Sequence, residues 1–392
     1  MKRVVGVGGI KVSAAEKALV LKALDTGRLS YGPMIREFES EIAKLHSSKF
    51  ALFTNSGTSA LHIAVTALKE KYRWKDGDEI LVPAVTFIAT SNVVLHNNMR
   101  PVFVDVDPRT YNIDPNLIEA KITSRTRAII PVHLLGLPAD MGRIMVIARK
   151  HKLHVIEDAC EAMFAKYKGR PVGSFGEIGC FSTYVAHYIV TGVGGLNTTS
   201  NSDIAVMLRS LANHGRDAIY ISIDDDNVSS KKKLHEIVSK RFRFVRLGHS
   251  FRATELEAAL GLGQLKRRAE IIRKRKRIAQ MYLRGLSDLQ EHIQLPYVPK
   301  GYEHVFMLFG IVCKNGDKKK LVDYLEDSGI ETRDLLPLIN QPIYRKIFGN
   351  IEEKYPVAKH LNNAAFYIGC HPYMSDADVR YVISKFHSFY KK

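Results

Sequence analysis

Cysteine is scarce in this sequence, and long apolar runs are absent from it. The four cysteines (Cys160, Cys180, Cys313 and Cys370) stand far apart and form no Cys-x-x-Cys pair. Their spacing excludes a disulfide framework and a zinc ribbon and favours a reducing compartment. No stretch approaches the roughly 18 apolar residues that a membrane span needs, so we expect no membrane partner. Because no apolar segment follows the basic N-terminus, we expect no secretory signal and a cytoplasmic protein.

Acidic residues are too few to balance the basic ones. The 392-residue chain has 58 Lys and Arg against 40 Asp and Glu, a formal net charge of +18. Nucleic acid, an anionic membrane surface and a small anionic substrate all attract such a charge. The densest basic stretches are residues 231–233, 240–243, 266–268 and 273–277. No nucleic-acid-binding motif accompanies them, so we expect no nucleic-acid partner.

Apolar residues recur at helical spacing from residue 256 to residue 283. This pattern predicts one long amphipathic helix whose basic outer face is solvated. A polar stretch before it, residues 223–230, predicts an exposed loop.

Short apolar segments alternate with amphipathic ones through residues 14–182. The predicted helices are residues 15–24, 35–45, 59–68, 90–95, 118–122 and 141–150, and the extended segments are 50–53, 79–82, 101–106, 128–132 and 154–157. This alternation predicts an α/β fold with a mostly parallel sheet covered on both faces. An extended segment at 305–312 and helices at 318–328 and 376–386 predict a smaller α+β region. We therefore expect a large α/β domain over residues 1–250, and the long helix with a smaller domain over residues 251–392.

The first segment that could carry chemistry is Thr-Asn-Ser-Gly-Thr-Ser-Ala-Leu at residues 54–61. A strand ends there, and a helix begins at Ser56, Gly57 and Thr58. The free amides and the dipole of a helix N-terminus favour a phosphate, although plain N-capping explains these residue types equally well. No Walker A lysine and no G-x-G-x-x-G pattern is present, so neither a P-loop nor a dinucleotide fingerprint is supported.

Acidic side chains follow the apolar strand at 154–157. Asp158 and Glu161 lie where the carboxyl end of a strand would place them at a ligand-binding edge. A buried carboxylate there can keep the pyridine nitrogen of a cofactor protonated. Helix capping or ion pairing is the alternative for these acids.

A third segment begins with the extended residues 179–182 and continues into a turn that carries His187. A glycine-rich loop at 192–195 follows, where backbone can approach a ligand closely. A lone histidine is more often structural than catalytic. Only convergence of the three segments would change that interpretation.

Taken in order, these segments resemble the DegT/DnrJ/StrS family of nucleotide-sugar aminotransferases. The motifs that carry the resemblance are the turn at 54–61, Pro-Ala-Val-Thr-Phe-Ile-Ala-Thr at 83–90, Pro-Val-Phe-Val-Asp-Val at 101–106, Pro-Val-His-Leu-Leu-Gly at 131–136, Glu-Asp-Ala at 157–159, and Phe-Ser at 181–182 with Gly-x-Gly-Gly at 192–195. The resemblance continues through residues 27–33, 257–265 and 329–333. It implies the fold of type I pyridoxal 5'-phosphate (PLP) enzymes, a large α/β domain with a mostly parallel sheet and a smaller C-terminal α+β domain.

The resemblance also implies roles for residues around the cofactor. Ser56, Gly57 and Thr58 would hold its phosphate. Phe87 would stack on the pyridine ring, and Asp158 would pair with the pyridine nitrogen.

Four further positions receive weaker assignments from the family pattern. Glu161 stands where the family often has a glutamine near the ring, and Ser182 would lie close to the phosphate or the ring. Ser250 replaces an asparagine that often reaches the cofactor phosphate of the neighbouring subunit, and Arg333 would contact substrate. The implied assembly is a homodimer with shared sites, and the implied substrate is a nucleotide-diphosphate sugar.

The sequence departs from the family at its cofactor-binding lysine, whose position falls on His187. An imidazole cannot bond PLP covalently as a lysine amine does, but it can still move protons. The 3-dehydratase branch of the family has the same replacement and uses free pyridoxamine 5'-phosphate (PMP), with glutamate as amino donor. The resemblance thus implies a 3-dehydratase of a 4-keto-6-deoxy sugar, with His187 as base, in deoxysugar or O-antigen-type biosynthesis.

Two alternatives remain open at this point. The first is a nucleotide-sugar aminotransferase, and the second is a catalytically inactive B6-binding or regulatory homologue. Val193 stands where the family has a glutamate in its Gly-Glu-Gly-Gly loop. The cysteine cluster of an iron–sulfur-containing relative is absent after residue 217, so we expect no metal.

Overall fold

The computed structural model describes residues 4–217, 230–240 and 242–391, so most of the predicted loop at 223–230 lies outside the described residues. The helices are α1 Ala14–Asp25, α2 Pro33–Leu45, α3 Gly57–Tyr72, α4 Ala89–His96, α5 Pro115–Ile118, α6 Met141–Lys150, α7 Ser202–Ala212, α8 Lys231–Lys240, α9 Glu255–Lys266, α10 Arg268–Gly285, α11 Lys318–Asp327, α12 Pro342–Phe348, α13 Pro356–Ala364 and α14 Asp376–Tyr390. The strands are β1 Phe50–Thr54, β2 Glu79–Pro83, β3 Arg100–Val104, β4 Thr126–Ile129, β5 His154–Asp158, β6 Lys166–Tyr167, β7 Arg170–Pro171, β8 Ile178–Ser182, β9 Gly195–Thr199, β10 Ile293–Gln294, β11 Tyr302–Glu303, β12 Leu308–Cys313, β13 Thr332–Asp334 and β14 Ala365–Gly369. None of the described helices combines the length and the apolar character needed to cross a bilayer.

A seven-stranded sheet forms the centre of the larger part of the molecule. Its strand order is β1-β9-β8-β5-β4-β2-β3, and β9 alone among these strands runs antiparallel to its neighbours. The predicted α/β class with a mostly parallel sheet is confirmed. Sequence reasoning missed β9, because its residues Gly-Leu-Asn-Thr-Thr form no apolar run, although all five are buried.

Continuous apolar strands arise because both faces of the sheet are covered. Along β2, Ile80 and Val82 belong to the largest hydrophobic cluster of the described residues, the main core, which also contains residues of α3 and α4. Leu81 between them belongs to a separate cluster with residues of α5 and α6. Successive side chains of a strand alternate between faces, so a doubly covered strand must be apolar at every position.

A second core surrounds the antiparallel sheet β10-β12-β14-β13. Helix α14 contributes Val379, Val382 and Phe386, spaced three and four residues apart on one helical face. Val5 joins this core and pairs with Ile330, so the start of the chain packs with its C-terminal part. The domain boundary at residue 250 stays a prediction.

The predicted long helix over residues 256–283 is wrong, because it is two helices. Helix α9 ends at Lys266 and α10 begins at Arg268, and Arg267 between them has the non-helical angles φ −100° and ψ 3°. The break separates two packing faces, since α9 buries Leu262 in the main core and α10 buries Ile278 in the second core. One side chain of the predicted solvated face, Arg275, is instead buried.

The first turn of α9 also supports α2. The buried carboxylate of Glu255 accepts amide hydrogen bonds from Gly32, Met34 and Ile35 at 3.0, 2.9 and 2.9 Å. These are donors at the start of α2 that the helix itself leaves unpaired. A Cβ at residue 32 would lie 2.4 Å from this carboxylate, so only glycine fits there.

We predict that Glu255→Ala lowers the free energy of unfolding by about 3 kcal/mol, because three buried amides lose their acceptor. The control is Glu257→Ala, which removes the capping-box carboxylate of the half-buried Glu257 and should cost about 1 kcal/mol. Urea denaturation measures both. Equal losses in the two variants would contradict the assigned role of Glu255.

Candidate active site

A cavity of about 420 Å³ lies at the carboxyl edge of the central sheet. Residues from the C-terminal part of the chain, among them Met307 and Tyr367, form its other side. Eight of the site residues predicted from the sequence line it: Ser56, Gly57, Thr58, Phe87, Asp158, Glu161, Ser182 and His187. The carboxyl ends of parallel strands meet at one edge, which is how segments far apart in sequence come together here. The three segments therefore converge on one cavity, as the catalytic interpretation of His187 requires.

The N-terminus of α3 opens into this cavity. Ser56 caps the helix, since its Oγ accepts the amide of Ser59 at 3.0 Å. The amides of Gly57 and Thr58 make no hydrogen bond to any described residue. Two free amides at the positive end of a 16-residue helix suit a phosphate group.

Close packing around this helix start explains its glycines. A Cβ on Gly57 would lie 2.9 Å from Cβ of Ser182, and one on Gly195 would lie 2.2 Å from the carbonyl oxygen of Ser56. The strands β8 and β9 therefore touch the first turn of α3 directly. Ser182 lies at the end of β8, within the lining of the cavity.

Asp158 ends β5 and is 4% exposed. Thr90 donates to its Oδ2 at 2.7 Å, and the Cys160 amide donates to its Oδ1 at 3.2 Å. The hydroxyl of Thr86 forms a further hydrogen bond with that of Thr90 at 2.8 Å. Burial raises the pKa of Asp158, and these hydrogen bonds oppose the rise. The result is a carboxylate of fixed orientation that faces the cavity.

The neighbouring acid, Glu157, has a different function in the fold. It is fully buried on the opposite side of the strand and accepts amide hydrogen bonds from Gly173, Phe175 and Gly176. His133 Nδ1 accepts the Ala139 amide, so Nε2 donates to Glu157 at 3.1 Å. Glu157 organises the loop after β7, and only Asp158 reaches the cavity.

Phe87 lies between β2 and α4, lines the cavity and is 57% exposed. A large exposed aromatic ring beside a buried carboxylate is available to cover a flat ligand.

His187 lies in a turn after β8, where its amide donates to Tyr184 O at 2.9 Å. Its Nδ1 is 3.2 Å from Sδ of Met307, and Nε2 makes no hydrogen bond to a described residue. Because a thioether sulfur only accepts, the proton belongs on Nδ1, and Nε2 keeps its lone pair as a base. Burial, aided by the charge of Arg275, lowers the pKa of His187 to about 3.

Glu161 is 8% exposed, and its Oε2 accepts the Leu135 amide at 2.8 Å. The hydroxyl of Tyr188, the residue after His187, donates to the Glu161 carbonyl at 3.1 Å. Burial, with a smaller contribution from the negative charge of Asp158, raises the pKa of Glu161 to about 7. The cavity therefore contains a weakly acidic carboxyl group and a neutral imidazole at neutral pH.

Two predicted site residues lie outside the cavity lining. Arg333 on β13 forms an ion pair with Glu331 and has a half-exposed side chain. Ser250 is exposed and accepts from Arg252 Nη2 at 2.9 Å. Glu331 links Arg333 to the site, because its Oε2 accepts the amide of the lining residue Val7 at 2.8 Å.

Sequence reasoning missed other lining residues. Val7, Met307, Leu336 and Tyr367 come from segments without any recognisable chemical motif, so no signal could have identified them. Thr90 ends the motif at residues 83–90, and its hydroxyl, three residues after Phe87, was the available signal for a partner of Asp158.

The comparisons with known proteins agree with this geometry. A model of the DegT/DnrJ/EryC1/StrS aminotransferase family matches residues 11–387. The chain belongs to this family. GDP-perosamine synthase of Caulobacter vibrioides is 34% identical over 385 residues, which cover 97% of this chain and 96% of that protein. The dTDP-4-dehydro-2,6-dideoxy-D-glucose 3-dehydratase of Saccharopolyspora spinosa is 32% identical over 390 residues, 96% of this chain and 84% of that one.

Among solved structures, GDP-4-keto-6-deoxy-D-mannose 3-dehydratase of E. coli with bound hydrated PLP superimposes with a TM-score of 0.88. Sequence identity is 26%, and the match covers 98% of this chain and 100% of the other. The DegT-family chain is thus an enzyme of the PLP-dependent sugar aminotransferase family, and PLP is its cofactor.

The residues present fit this cofactor. The free amides of Gly57 and Thr58 suit its phosphate, and Asp158 is a buried anion for its pyridine nitrogen. When bound, the cofactor supplies an electron sink for bonds broken next to its nitrogen. Among the described residues, no group of three or more His, Cys, Asp or Glu is placed to hold a metal ion.

We predict that Glu161→Gln stabilises the cofactor-free protein in a pH-dependent way. In the unfolded chain the carboxyl ionises near its ordinary pKa of 4.5, whereas the folded protein retains the proton up to about 7. Wild-type stability therefore falls as pH rises across this window, by up to about 3 kcal/mol, and the glutamine variant escapes that loss.

Thermal melting at pH 5 and pH 8 measures the effect, with Glu291→Gln as the control for loss of one exposed carboxyl. A Tm difference between wild type and Glu161→Gln that is the same at both pH values would contradict the raised pKa.

Proposed function

We propose that this enzyme is a PMP-dependent 3-dehydratase acting on a nucleotide-diphosphate 4-keto-6-deoxy sugar. The observation that supports it is His187, which replaces the family's lysine and lines the cofactor cavity with a free Nε2. Without a lysine, the cofactor has no covalent tether at this position and can act as free PMP. Glutamate is the proposed amino donor.

His187 presents a free lone pair at Nε2 for proton abstraction. His187 would accept at Nε2 the proton removed from carbon, while the Met307 contact and the turn hydrogen bond to Tyr184 keep the ring in place. With the cofactor bound, Asp158 would stabilise the positive charge of the pyridine nitrogen and Phe87 would cover one face of the ring. Loss of the 3-hydroxyl then requires a proton donor, and the protonated His187 can return its proton to the leaving oxygen.

The named relatives support two candidate activities. The E. coli structure and the S. spinosa relative carry dehydratase names, and these favour elimination. The GDP-perosamine synthase relative favours the second candidate, a nucleotide-sugar aminotransferase. His187 decides for elimination in our proposal, because an aminotransferase cycle of this family relies on a lysine amine.

We further propose a homodimer in which residues 242–250 face the partner subunit. Phe242 and Leu247 are 81% and 96% exposed, and Phe244 and Val245 beside them are also exposed. Four exposed large apolar side chains within six residues favour an interaction site in this segment. Ser250 belongs to the same segment, and this position would bring it to the neighbouring cofactor phosphate.

The function is tested by loading purified protein with PLP and glutamate and then adding GDP-4-keto-6-deoxymannose or other 4-keto nucleotide sugars. We expect a 3-deoxy sugar with release of ammonia, detected by mass spectrometry and a coupled ammonia assay. A stable amino sugar would instead establish the aminotransferase. Failure to bind either B6 vitamer at micromolar concentration would reject the enzyme assignment.

For His187→Asn we predict loss of dehydration with PMP affinity nearly unchanged, because the amide cannot accept the proton while the phosphate and ring contacts remain. Turnover is measured by product formation, and affinity by fluorescence titration with PMP. Retained turnover would remove His187 from the mechanism. The companion variant His187→Lys should bond PLP covalently and turn yellow, and absence of that absorbance would show that the turn does not reach the cofactor.

For Leu247→Asp we predict at least about tenfold weaker dimerisation, because a charge replaces an apolar contact at the proposed interface. Sedimentation at several protein concentrations measures it. The control is Val146→Asp on α6, a position that is 56% exposed and away from this segment. Equal dimer affinity in the two variants would move the interface elsewhere.

A further inference from the structure

Arg275 is a buried cation that pairs with no acidic side chain in the described part of the chain. It is 2% exposed, and no carboxylate of the described residues forms an ion pair with it. An isolated buried charge costs several kcal/mol unless hydrogen bonds compensate it. Its retention inside the molecule therefore requires a specific reason, which exposed cations on the same helix do not.

The guanidinium group of Arg275 joins three separate segments through their carbonyl oxygens. Its Nη1 donates to Met307 O at 2.7 Å and to Cys370 O at 2.8 Å, and its Nη2 donates to His187 O at 3.0 Å. The guanidinium carbon also lies 4.9 Å from the ring centroid of Tyr188. Arginine suits this position because its planar fork donates in several fixed directions at once.

Three of these four contacts bear on the proposed base, those with Met307, His187 and Tyr188. Met307 provides both the carbonyl that Arg275 holds and the sulfur that contacts His187 Nδ1. Tyr188 follows His187 directly and donates to Glu161 in the cavity wall. One side chain of α10 thereby fixes the turn of His187 relative to Met307, the residue just before β12 that contacts its ring.

Arg275 acts on His187 through its charge as well as through its hydrogen bonds. The titratable groups that face Arg275 from the elements packed on α10 are Tyr188, Cys370, Tyr373 and His371. Burial raises the pKa of Tyr188 and of Cys370, the latter to about 12, and burial with the charge of Arg275 lowers that of His371 to about 4. None of these four is a carboxylate, and a second cation on His187 is disfavoured beside Arg275.

We propose that Arg275 is a positioning residue for catalysis: it holds the His187 turn and the Met307 contact of the imidazole in place. This inference rests on the proposed role of His187 as base. It assigns a function to one residue of a basic helix whose other charges face solvent.

The test uses the full-length protein and separates the hydrogen bonds from the charge. Arg275→Lys keeps the charge but cannot hold three carbonyls, so kcat should fall about tenfold to a hundredfold while His187 stays neutral. Arg275→Met removes both, so kcat should fall further and His187 should titrate at a higher pH. The control is Arg273→Met, which removes an exposed arginine of the same helix and should change neither quantity.

The titration of His187 is read by NMR of histidine-labelled, cofactor-free protein, with the signal assigned by comparison with His187→Asn. This readout does not depend on activity. Should the wild type form no 3-deoxy sugar, the proposed function fails, and the NMR titration still decides whether Arg275 controls His187.

A folded Arg275→Met variant with unchanged turnover and unchanged His187 titration would overturn the proposal. If that variant does not fold, Arg275→Lys decides, and wild-type kcat in the lysine variant would overturn it. Arg275→Ala supplies an independent arm, because guanidinium ions at a non-denaturing concentration should partly restore its turnover. Ethylammonium, which carries the charge without the planar fork, is the control and should not restore turnover. Failure of guanidinium to restore turnover in folded Arg275→Ala would count against the geometric role.

Discussion

The close approach of α3 to the ends of β8 and β9 is the contact on which the rest of the active site depends. Glycine at residues 57 and 195 allows strand and helix backbones to come within van der Waals distance, where a single Cβ would collide. This contact directs the free amides of the α3 N-terminus into the same cavity as Asp158 at the end of β5. A phosphate site and a buried anion are thereby held at one edge of a rigid sheet.

Around this frame the cavity uses burial to set protonation states. Low polarity raises the pKa of Asp158 and Glu161 and lowers that of His187, so charge is disfavoured on all three groups. At neutral pH the imidazole therefore keeps a free lone pair, and the Glu161 carboxyl group, with its pKa raised to about 7, is partly protonated. Arg275 adds a positive charge from behind the His187 turn, and its four contacts make that charge part of the geometry of the base.

The basic residues of α10 form two groups, the cations at the surface and the buried Arg275. Most cations of α10 are exposed or half-buried, and several pair with nearby acids, as Lys274 does with Glu270 and Arg277 with Asp376. Such surface charges create a positive field that would favour capture of an anionic nucleotide sugar. Arg275 differs, because it is enclosed by the second core and the His187 turn and contributes to structure at the site rather than to the surface field.

The sequence by itself determined the parts of this protein that local chemistry specifies. Strand and helix alternation predicted the α/β sheet, since a doubly covered parallel strand must be apolar throughout, and ordered motifs predicted the family, the cofactor and eight cavity-lining residues. The tertiary structure supplied the physical reason why Asp158, the predicted acid, enters the site and Glu157 does not, because the two side chains lie on opposite faces of one strand. It also decided that a predicted single helix breaks at Arg267 and that Arg275 is buried, because two cores on different sides compete for the apolar faces of that segment. Packing between segments distant in sequence sets these outcomes, and no local pattern encodes it.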